Sequence, residues 1–292
     1  MSSIPTIPGS HPKKGAYGQR LGGPEVLTKD LFNLEGRTII ITGGAGALGI
    51  SVAGSILESG GDVICFDRAV EFPAEDWARL QSIAKGHGTQ VAYHIGNVTD
   101  SRTVNKIFDV AVSEMRFPLR GLVACAGISH GSSALDYDIN DFRRVIEINL
   151  NGTFICAQAA ARIIAKQQVP GSVVLIASMS GSVSNKGVDT AAYNSSKSAV
   201  LQLGRSLAAE WGCREGFPQI RVNTLSPGYI KTALTAKDML IPGREAEWSA
   251  DNMLNRMSYA DEYRGPVIFL LGDASSFMTG ADLKVDGGHT AW

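Results

Sequence analysis

The sequence has no excess of charge of either sign. Its 292 residues carry 27 Lys and Arg against 28 Asp and Glu, a formal net charge of -1, and neither sign is gathered into a block. Attraction to nucleic acid or to an anionic membrane surface depends on concentrated positive charge. We therefore predict that neither nucleic acid nor a membrane is a partner of this chain.

Residues that build disulfide frameworks and metal sites are also few. The five histidines include no HExxH pair and no spacing that would gather a metal, so we expect no metal site. No two cysteines form a CxxC pair and most lie in apolar runs, which predicts buried, reduced thiols. The four cysteines are Cys65, Cys125, Cys156 and Cys213.

Long apolar segments are missing as well. No run approaches the ~20 residues that a helix needs to span a bilayer. The first residues contain neither the hydrophobic core of a secretory signal nor the Arg-rich amphipathic helix of an organelle presequence. We therefore expect a cytoplasmic protein.

The composition is that of a globular protein, with 44% hydrophobic and 19% charged residues. Residues 1–35 differ from the rest, because 1–24 are rich in Pro, Gly, Ser and Lys without apolar periodicity. This pattern predicts an N-terminal arm that is partly disordered or wraps a neighbouring subunit. Residues 36–292 are predicted to form a single domain, which this length allows.

Short apolar runs alternate along the body with longer stretches of helical spacing, for example over 48–57 and 145–164. Such alternation predicts parallel strands joined by right-handed crossovers. Continuous apolar strands such as 173–176 are typical of a sheet covered on both faces. We predict an α/β fold with a doubly wound parallel sheet of about seven strands and helices on both faces. The predicted strands are Thr38–Thr42, Asp62–Asp67, Gln90–Ile95, Leu122–Cys125, Ser172–Ala177, Ile220–Leu225 and Leu283–Val285.

A glycine-rich turn follows the first predicted strand and opens a helix. Gly44, Gly46 and Gly49 spell GxGxxG. Glycine allows the tight turn and lets backbone N–H groups approach a pyrophosphate at the helix N-terminus. The alternative is a turn without a ligand, but its place in a βαβ unit favours a dinucleotide site.

The end of the second predicted strand bears on the choice of cofactor. Asp67 lies where a carboxylate accepts hydrogen bonds from the adenosine ribose and repels a 2′-phosphate, which favours NAD. Arg68 leaves NADP possible, because a guanidinium beside the ribose accommodates a phosphate. The alternative for Asp67 is a solvated aspartate at a strand end.

A tyrosine and a lysine one helical turn apart are the candidate catalytic pair. Tyr193 and Lys197 project from the same face of a helix predicted to begin at Ala191. A free phenol has a pKa of about 10, and a nearby cation is expected to lower it. The pair then exchanges a proton with a substrate oxygen while hydride moves at carbon. A Tyr-x-x-x-Lys spacing alone arises often by chance, so the surrounding motifs decide.

Those motifs occur in one order along the chain: TGGAGALG, NLNG, SMSG, YNSSK, RVNTLSPGYIKT and TGADLKVDGG. From about Leu34 to Gly288 the chain resembles the short-chain dehydrogenase/reductase family, and within it the fungal-type ketose and polyol reductases of the mannitol dehydrogenase and sorbose reductase group. The resemblance implies a Rossmann fold and an NAD(P)-dependent oxidoreductase that interconverts a secondary alcohol and a ketone. The alternative is a relative recruited to a non-redox step, a cyclisation or isomerisation of a bulky intermediate.

The resemblance also implies the catalytic roles. Tyr193 matches the proton donor and acceptor, and Lys197 the residue that lowers the tyrosine pKa and holds the nicotinamide ribose. Ser178 matches the hydroxyl that hydrogen-bonds the reacting oxygen, with Ser180 as the alternative. Asn149 matches the helix residue that holds a water and connects the lysine to solvent.

Further positions match dinucleotide contacts, with the segment 227–232 on the nicotinamide and Thr232 near its carboxamide. Three positions depart from the family pattern: Ala47 replaces a glycine, Asn97 replaces an aspartate that contacts adenine, and the NNAG segment reads ACAG at 124–127. The predicted cofactor-binding residues are Gly43, Gly46, Ala47, Leu48, Gly49, Asp67, Arg68, Asn97, Val98, Ala126, Gly127, Tyr193, Lys197, Pro227, Gly228, Ile230 and Thr232.

Residues 233–257 lie where family members carry a lid over the substrate. Its apolar side chains predict either an apolar wall for an alcohol or ketone larger than a small sugar, or ordinary helix packing. His130 and Asn185 are candidate pocket residues. The resemblance further implies a homo-oligomer, a dimer or tetramer formed through the helices that carry Asn149 and Tyr193. The apolar lid residues are Met239, Leu240, Ile241, Trp248, Met253 and Met257.

Overall fold

The computed structural model describes residues 26–292 and contains one sheet of seven strands in the order β3-β2-β1-β4-β5-β6-β7. Every pair of neighbouring strands is parallel, so the predicted doubly wound sheet is confirmed. The order reverses between β1 and β4, where such sheets form a crevice at the carboxyl ends of their strands. The strands are β1 (Thr38–Thr42), β2 (Asp62–Asp67), β3 (Val91–Ile95), β4 (Leu119–Ala124), β5 (Gly171–Ile176), β6 (Ile220–Pro227) and β7 (Asp282–Val285).

The predicted strand boundaries differ from the observed ones mainly where pairing extends a strand into polar sequence. β4 begins at Leu119, before the predicted Leu122, because Leu119 pairs with Thr38 of β1. β6 continues to Pro227 because its last residues pair with Lys284 and Val285 of β7. Neighbouring strands thus decide the ends that local hydrophobicity leaves undefined.

Helices cover both faces of the sheet, and successive residues of a strand point into the cores on opposite faces. Ile40 packs in the core under α3, α5 and α6, whereas Ile39 and Ile41 pack in the core under α1, α2 and α8. Within residues 26–292, no helix has the length and hydropathy needed to cross a membrane. The helices are α1 (Ala47–Glu58), α2 (Ala74–His87), α3 (Ser101–Glu114), α4 (Ile139–Ile146), α5 (Thr153–Gln167), α6 (Ala191–Trp211), α7 (Arg244–Ala250) and α8 (Arg264–Leu271).

The helical stretch predicted over 145–164 is continuous but not uniform. α4 leads directly into a π-helical segment, Glu147–Gly152, and that segment into α5. π-segments inside α-helices often mark functional sites. This one contains Asn149, whose side chain is fully buried.

The predicted N-terminal arm falls largely on residues 1–25, which lie outside the described part of the chain. Of its remaining residues, Thr28–Phe32 form a 3₁₀-helix. Leu34 is fully buried, and its N–H donates to the Ser59 carbonyl oxygen at 2.8 Å. The packed body therefore includes Leu34, ahead of the predicted boundary at residue 36.

Candidate active site

The predicted site residues lie together at one edge of the sheet. Parallel strands all end on the same side, so the loops that follow β1, β2, β4, β5 and β6 meet there. The glycine-rich turn follows β1, Asp67 ends β2, Gly127 follows β4, and Ser178 follows β5. α6 brings Tyr193 to the same edge, beside Ser178.

Lys197 is buried on the face of α6 that carries Tyr193. Its Nζ donates to the Ile176 carbonyl oxygen at 2.8 Å and lies 5.7 Å from the centroid of the Tyr193 ring. The predicted shared face is therefore present. Burial lowers the pKa of Lys197 to about 8, with the neighbouring Cys125 thiol acting in the opposite direction. The lysine is still largely protonated at neutral pH.

The predicted lowering of the Tyr193 pKa is wrong for this geometry. Burial raises the pKa of the phenol above its usual 10, and a hydrogen bond with the Ser178 hydroxyl opposes that rise. Desolvation penalises the charged form of a buried group. The Lys197 ammonium donates a hydrogen bond to a backbone carbonyl. The spacing of two residues on a helix predicts neither this hydrogen bond nor the burial of the phenol. Tyr193 is therefore a proton donor in its resting form.

Ser178 and Ser180 are distinguished by what they contact. Ser178 is buried, its hydroxyl lies close enough to Tyr193 to oppose the rise of the phenol pKa, and its Oγ accepts the Ser180 N–H at 3.1 Å. Ser180 is buried too, and its backbone N–H serves to hold Ser178. The geometry favours Ser178 as the serine that faces the reacting oxygen.

Asn149 joins three parts of the site. Its Nδ2 donates to the Ile128 carbonyl oxygen at 2.9 Å and to Ser196 Oγ at 3.0 Å, and its Oδ1 accepts the Ile128 N–H at 2.8 Å. The loop after β4 is thereby fixed against α6. A Cβ atom placed on Gly127 would lie 3.2 Å from Asn149 Oδ1 and 3.6 Å from Lys197 Nζ. The amide thus sets the position of this loop beside the lysine.

The turn after β1 has the shape of a pyrophosphate cradle. Gly43 has φ +68°, and a Cβ there would lie 2.7 Å from the Ala126 backbone nitrogen. A Cβ on Gly49 would lie 2.2 Å from the Gly43 carbonyl oxygen, so only glycine fits. Gly46 begins α1 with no side-chain cap, which leaves the first N–H groups, including those at Ala47 and Leu48, for an anion. A dinucleotide fits these residues.

The Asp67 carboxylate connects the glycine-rich turn after β1 with the loop after β2. One of its carboxylate oxygens accepts the Ala45 N–H of the glycine-rich turn, and the other accepts the Ala69 N–H of the next loop, both at 3.1 Å. Arg68 beside it is exposed. A negative charge therefore stands between the turn and the loop.

The other predicted cofactor positions follow strand ends at the same edge of the sheet. Asn97 accepts the Thr99 N–H at 3.1 Å through its amide oxygen, and Val98 is buried. Beyond β6, the Gly228 N–H donates to the Val285 carbonyl oxygen at 3.0 Å, and Ile230 forms a bridge with Ser258. Further members of the set lie at these strand ends: Ala126, Pro227 and Thr232.

The departure from NNAG places a cysteine beneath the site. The Cys125 N–H donates to the Thr42 carbonyl oxygen at 3.0 Å, which maintains the strand end without an amide side chain. Burial raises the pKa of the Cys125 thiol to about 12, so it is neutral beside Lys197. The prediction of buried thiols holds for Cys65 and Cys156, whereas Cys125 is half-buried and Cys213 is exposed.

Only some of the predicted apolar lid residues are buried. Trp248 on α7 is 3% exposed and Met257 is buried, whereas Leu240, Ile241 and Met253 face solvent. α7 has only seven residues, too few for periodicity to define its inner face. Apolar composition alone therefore did not identify the residues that face the site.

Of the two candidate pocket residues, Asn185 lies with the lid and His130 does not. Asn185 Nδ2 donates to the Tyr229 hydroxyl at 3.1 Å, and the Tyr229 ring stacks on Trp248. His130 contacts Tyr137 instead, with 3.1 Å between its Nδ1 and the phenol oxygen.

Sequence reasoning missed Ser196, which bonds Asn149, and Tyr229, which joins the lid to the segment after β6. Both residues lie inside the motifs YNSSK and RVNTLSPGYIKT, which predict their approximate location at the site. Their contacts come from segments far apart in sequence, for which no spacing gives a signal.

Comparison with known proteins gives consistent matches. Residues 43–290 match the family described as enoyl-(acyl carrier protein) reductase. The chain is 52% identical over 271 residues to the short chain dehydrogenases/reductase notP′ of Aspergillus versicolor, covering 93% of each. It is 35% identical to the NADP-dependent mannitol dehydrogenase of Hypocrea jecorina, covering 89% of this chain and 95% of that one.

A solved structure agrees in fold. The NADPH-dependent 3-quinuclidinone reductase from Rhodotorula rubra superimposes with a TM-score of 0.83 at 32% identity, covering 97% of this chain and 100% of that one. The mannitol dehydrogenase relative agrees with the predicted polyol reductase group. The chain belongs to the short-chain dehydrogenase/reductase family and is an NAD(P)-dependent oxidoreductase.

Proposed function

We propose that the chain interconverts secondary alcohols and ketones of the polyol and ketose class, with Tyr193 as the general acid and base. The observation that carries this proposal is the closeness of the Ser178 hydroxyl to the Tyr193 phenol, whose pKa it lowers against the effect of burial, with Lys197 on the same face of α6. A protonated phenol beside a serine hydroxyl suits protonation of a carbonyl oxygen. The mannitol dehydrogenase relative supports the substrate class.

In ketone reduction, Ser178 donates a hydrogen bond to the carbonyl oxygen and stabilises the charge that develops on it. Tyr193 transfers its phenolic proton to that oxygen. A bound nicotinamide would supply hydride in reduction and accept it in oxidation. Lys197 stabilises the phenolate left on Tyr193, which regains its proton from solvent. Oxidation reverses these proton transfers, so it requires the phenolate and is favoured by higher pH.

The cofactor residues are proposed to divide by part of the dinucleotide. The turn from Gly43 to Gly49 and the uncapped start of α1 hold the pyrophosphate. Asp67 accepts hydrogen bonds from the adenosine ribose, and Lys197 holds the nicotinamide ribose. The ordered segment 227–232 holds the nicotinamide. Asn149 is proposed to hold the water that connects Lys197 to solvent.

The experiment that tests this function is a spectrophotometric screen of the purified chain. Each oxidised and reduced nicotinamide cofactor is combined with polyols, ketoses and apolar ketones. We expect cofactor-linked turnover with a subset of polyols and ketoses. Tight cofactor binding without turnover on any member would contradict the proposal.

The non-redox alternative has no support among these observations. The residues for proton transfer are all present and face one another. The relatives are named as dehydrogenases or reductases. We therefore propose only the redox reaction.

NAD is the proposed cofactor, and substitution of Asp67 tests this choice. Asp67→Asn keeps an amide oxygen for the Ala45 N–H but removes the charge that repels a 2′-phosphate. Two like charges at close range repel each other by on the order of 1 kcal/mol or more. Removing the Asp67 charge should therefore raise kcat/KM with NADPH by about ten-fold or more. Steady-state rates with NADH and NADPH measure the change.

Asp76→Asn is the matched control, because it removes an exposed carboxylate from the first turn of α2. It should leave the ratio of NADH to NADPH activity unchanged. A wild-type preference for NADPH would show that Asp67 has another role. This outcome matters because the mannitol dehydrogenase relative is named NADP-dependent.

We further propose a cytoplasmic homotetramer whose subunits meet through α5 and α6. The exposed Phe154 ring on α5 supports this assignment. Residues 233–257 are proposed to act as the substrate lid, since α7 covers Tyr229 beside the site. The role of residues 1–35 as an arm that is partly disordered or wraps a neighbouring subunit stays a prediction.

A further inference from the structure

Tyr229 is the centre of a polar cluster between the lid and the body. Its ring stacks on Trp248, with centroids 3.9 Å apart and an interplanar angle of 6°, and meets the His289 ring edge-on at 5.8 Å. Asn185 donates to its hydroxyl at 3.1 Å. Burial raises the pKa of Tyr229, and the nearby Asp251 carboxylate adds to that rise. We call these five residues the Tyr229 cluster.

The cluster lies next to the proposed catalytic residues. Asn185 belongs to the loop that connects Ser178 to Tyr193. Tyr229 directly follows Gly228 at the end of β6, and β6 pairs with β5, which leads into Ser178. The cluster therefore lies at the same edge of the sheet as Ser178 and Tyr193.

Four buried atoms of this cluster have no hydrogen-bond partner in the described part of the chain. Buried polar atoms are nearly always bonded, and an unmade bond costs about 1–3 kcal/mol. Such a concentration at one place therefore points to groups supplied by a ligand. The atoms are Asn185 Oδ1, Trp248 Nε1, Asp251 Oδ2 and His289 Nδ1.

The chemistry of these atoms specifies the ligand. Asp251 Oδ2 and Asn185 Oδ1 only accept hydrogen bonds, whereas Trp248 Nε1 only donates. Burial raises the pKa of Tyr229, so its phenol stays protonated and has an O–H to donate. A partner must therefore donate and accept in the same small volume. Hydroxyl groups do both, and a hydrocarbon chain does neither.

We propose that the Tyr229 cluster recognises the hydroxyl groups that a polyol or ketose carries beyond its reacting carbon. This inference rests on the proposed alcohol and ketone chemistry and adds the residues that select the substrate. α7 and the turn after it enclose the cluster, so a substrate reaches it when residues 233–257 open. A ketone without further hydroxyls leaves the acceptors of Asn185 and Asp251 unpaired.

The test compares two ketones with the same four-carbon skeleton, erythrulose and 2-butanone. A site built to bond hydroxyls rejects an analogue that lacks them by several orders of magnitude. We expect the wild-type kcat/KM for erythrulose to exceed that for 2-butanone by about 100-fold or more. Both are measured as oxidation of the preferred reduced cofactor.

Two variants locate the preference in the cluster. Tyr229→Phe keeps the aromatic stack and removes the hydroxyl, and Asp251→Asn replaces an acceptor oxygen with a donor of the same shape. Each should lower the ratio of the two kcat/KM values by about ten-fold or more, as expected for loss of a substrate hydrogen bond of roughly 1.4 kcal/mol. Tyr259→Phe removes a phenol from an exposed side chain outside the cluster and should leave the ratio unchanged.

The outcomes separate the two proposals. Turnover of both ketones with a ratio that neither variant changes would overturn the role of the cluster and leave the oxidoreductase proposal standing. Equal losses on both ketones with a lowered unfolding temperature would assign the cluster a structural role and overturn the inference. Absence of both turnover and calorimetric binding of erythrulose would overturn the role of the cluster, whereas the oxidoreductase proposal falls only if no member of the substrate screen is turned over.

Discussion

Tyr193→Phe is expected to bind the nicotinamide cofactor normally and to lose about 10³-fold in turnover, within the range that a positioned acid or base contributes. The substitution removes only the hydroxyl that lies beside Ser178. The substrate oxygen then loses the group that transfers a proton to it, while the ring still packs beside Lys197. Steady-state kcat and a fluorescence titration with the reduced cofactor measure the two quantities separately.

Tyr259→Phe is a suitable control for that variant, because it removes a phenol from a side chain that is 54% exposed. It should retain both turnover and cofactor affinity. Near-normal turnover of Tyr193→Phe would assign the proton transfer to another group and contradict the mechanism. A loss of cofactor affinity equal to the loss of turnover would instead indicate a displaced α6.

The fold could be predicted from the sequence because the apolar patterns of its strands and of its helices are strong and local. β1 and β5 are continuous apolar runs buried along nearly their whole length. The catalytic residues could be placed for a related reason, since each follows or precedes a strong element. Ser178 comes two residues after the end of β5, and Tyr193 lies in the first turn of α6. Their meeting at one edge then follows from the parallel sheet.

Properties that depend on several segments could not be predicted. The direction of the Tyr193 pKa shift is the balance of burial, the Ser178 hydrogen bond and the engagement of Lys197 by Ile176. The spacing of residues along α6 places the lysine near Tyr193, but it gives no information about burial or about contacts from other segments. The sequence also suggested apolar packing for Trp248, whose ring stacks on Tyr229 and whose indole N–H has no hydrogen-bond partner among residues 26–292. Such polar clusters assemble from distant loops and leave no periodic signal.

The glycine-rich turn is a case where sequence and structure together sharpen an expectation. Two glycines of the turn restrict it in different ways, Gly43 through its positive φ and Gly49 through close contact. Ala47, by contrast, is exposed at the start of α1, which explains why a Cβ is accepted where the family has a glycine. The turn is therefore intolerant at position 49 and tolerant at position 47.

Gly49→Ala is accordingly expected to abolish measurable cofactor binding and to destabilise the fold by about 1–3 kcal/mol, the usual cost of overpacking. The new Cβ would lie 2.2 Å from the Gly43 carbonyl oxygen and 2.9 Å from the Gly44 Cα, and backbone atoms cannot move aside as a flexible side chain does. The turn must open, and its N–H groups then no longer converge on a pyrophosphate. Cofactor titration and thermal unfolding measure both effects.

Gly54→Ala provides the control on the same helix, α1. A Cβ at that position would lie 3.6 Å or more from the nearest side-chain atoms, which is ordinary contact. Because alanine stabilises a helix interior by roughly 0.5–1 kcal/mol relative to glycine, this variant should bind cofactor normally and unfold at an equal or higher temperature. If Gly49→Ala bound cofactor as tightly as Gly54→Ala, the turn after β1 would not be the pyrophosphate site, since its backbone could not have kept its shape.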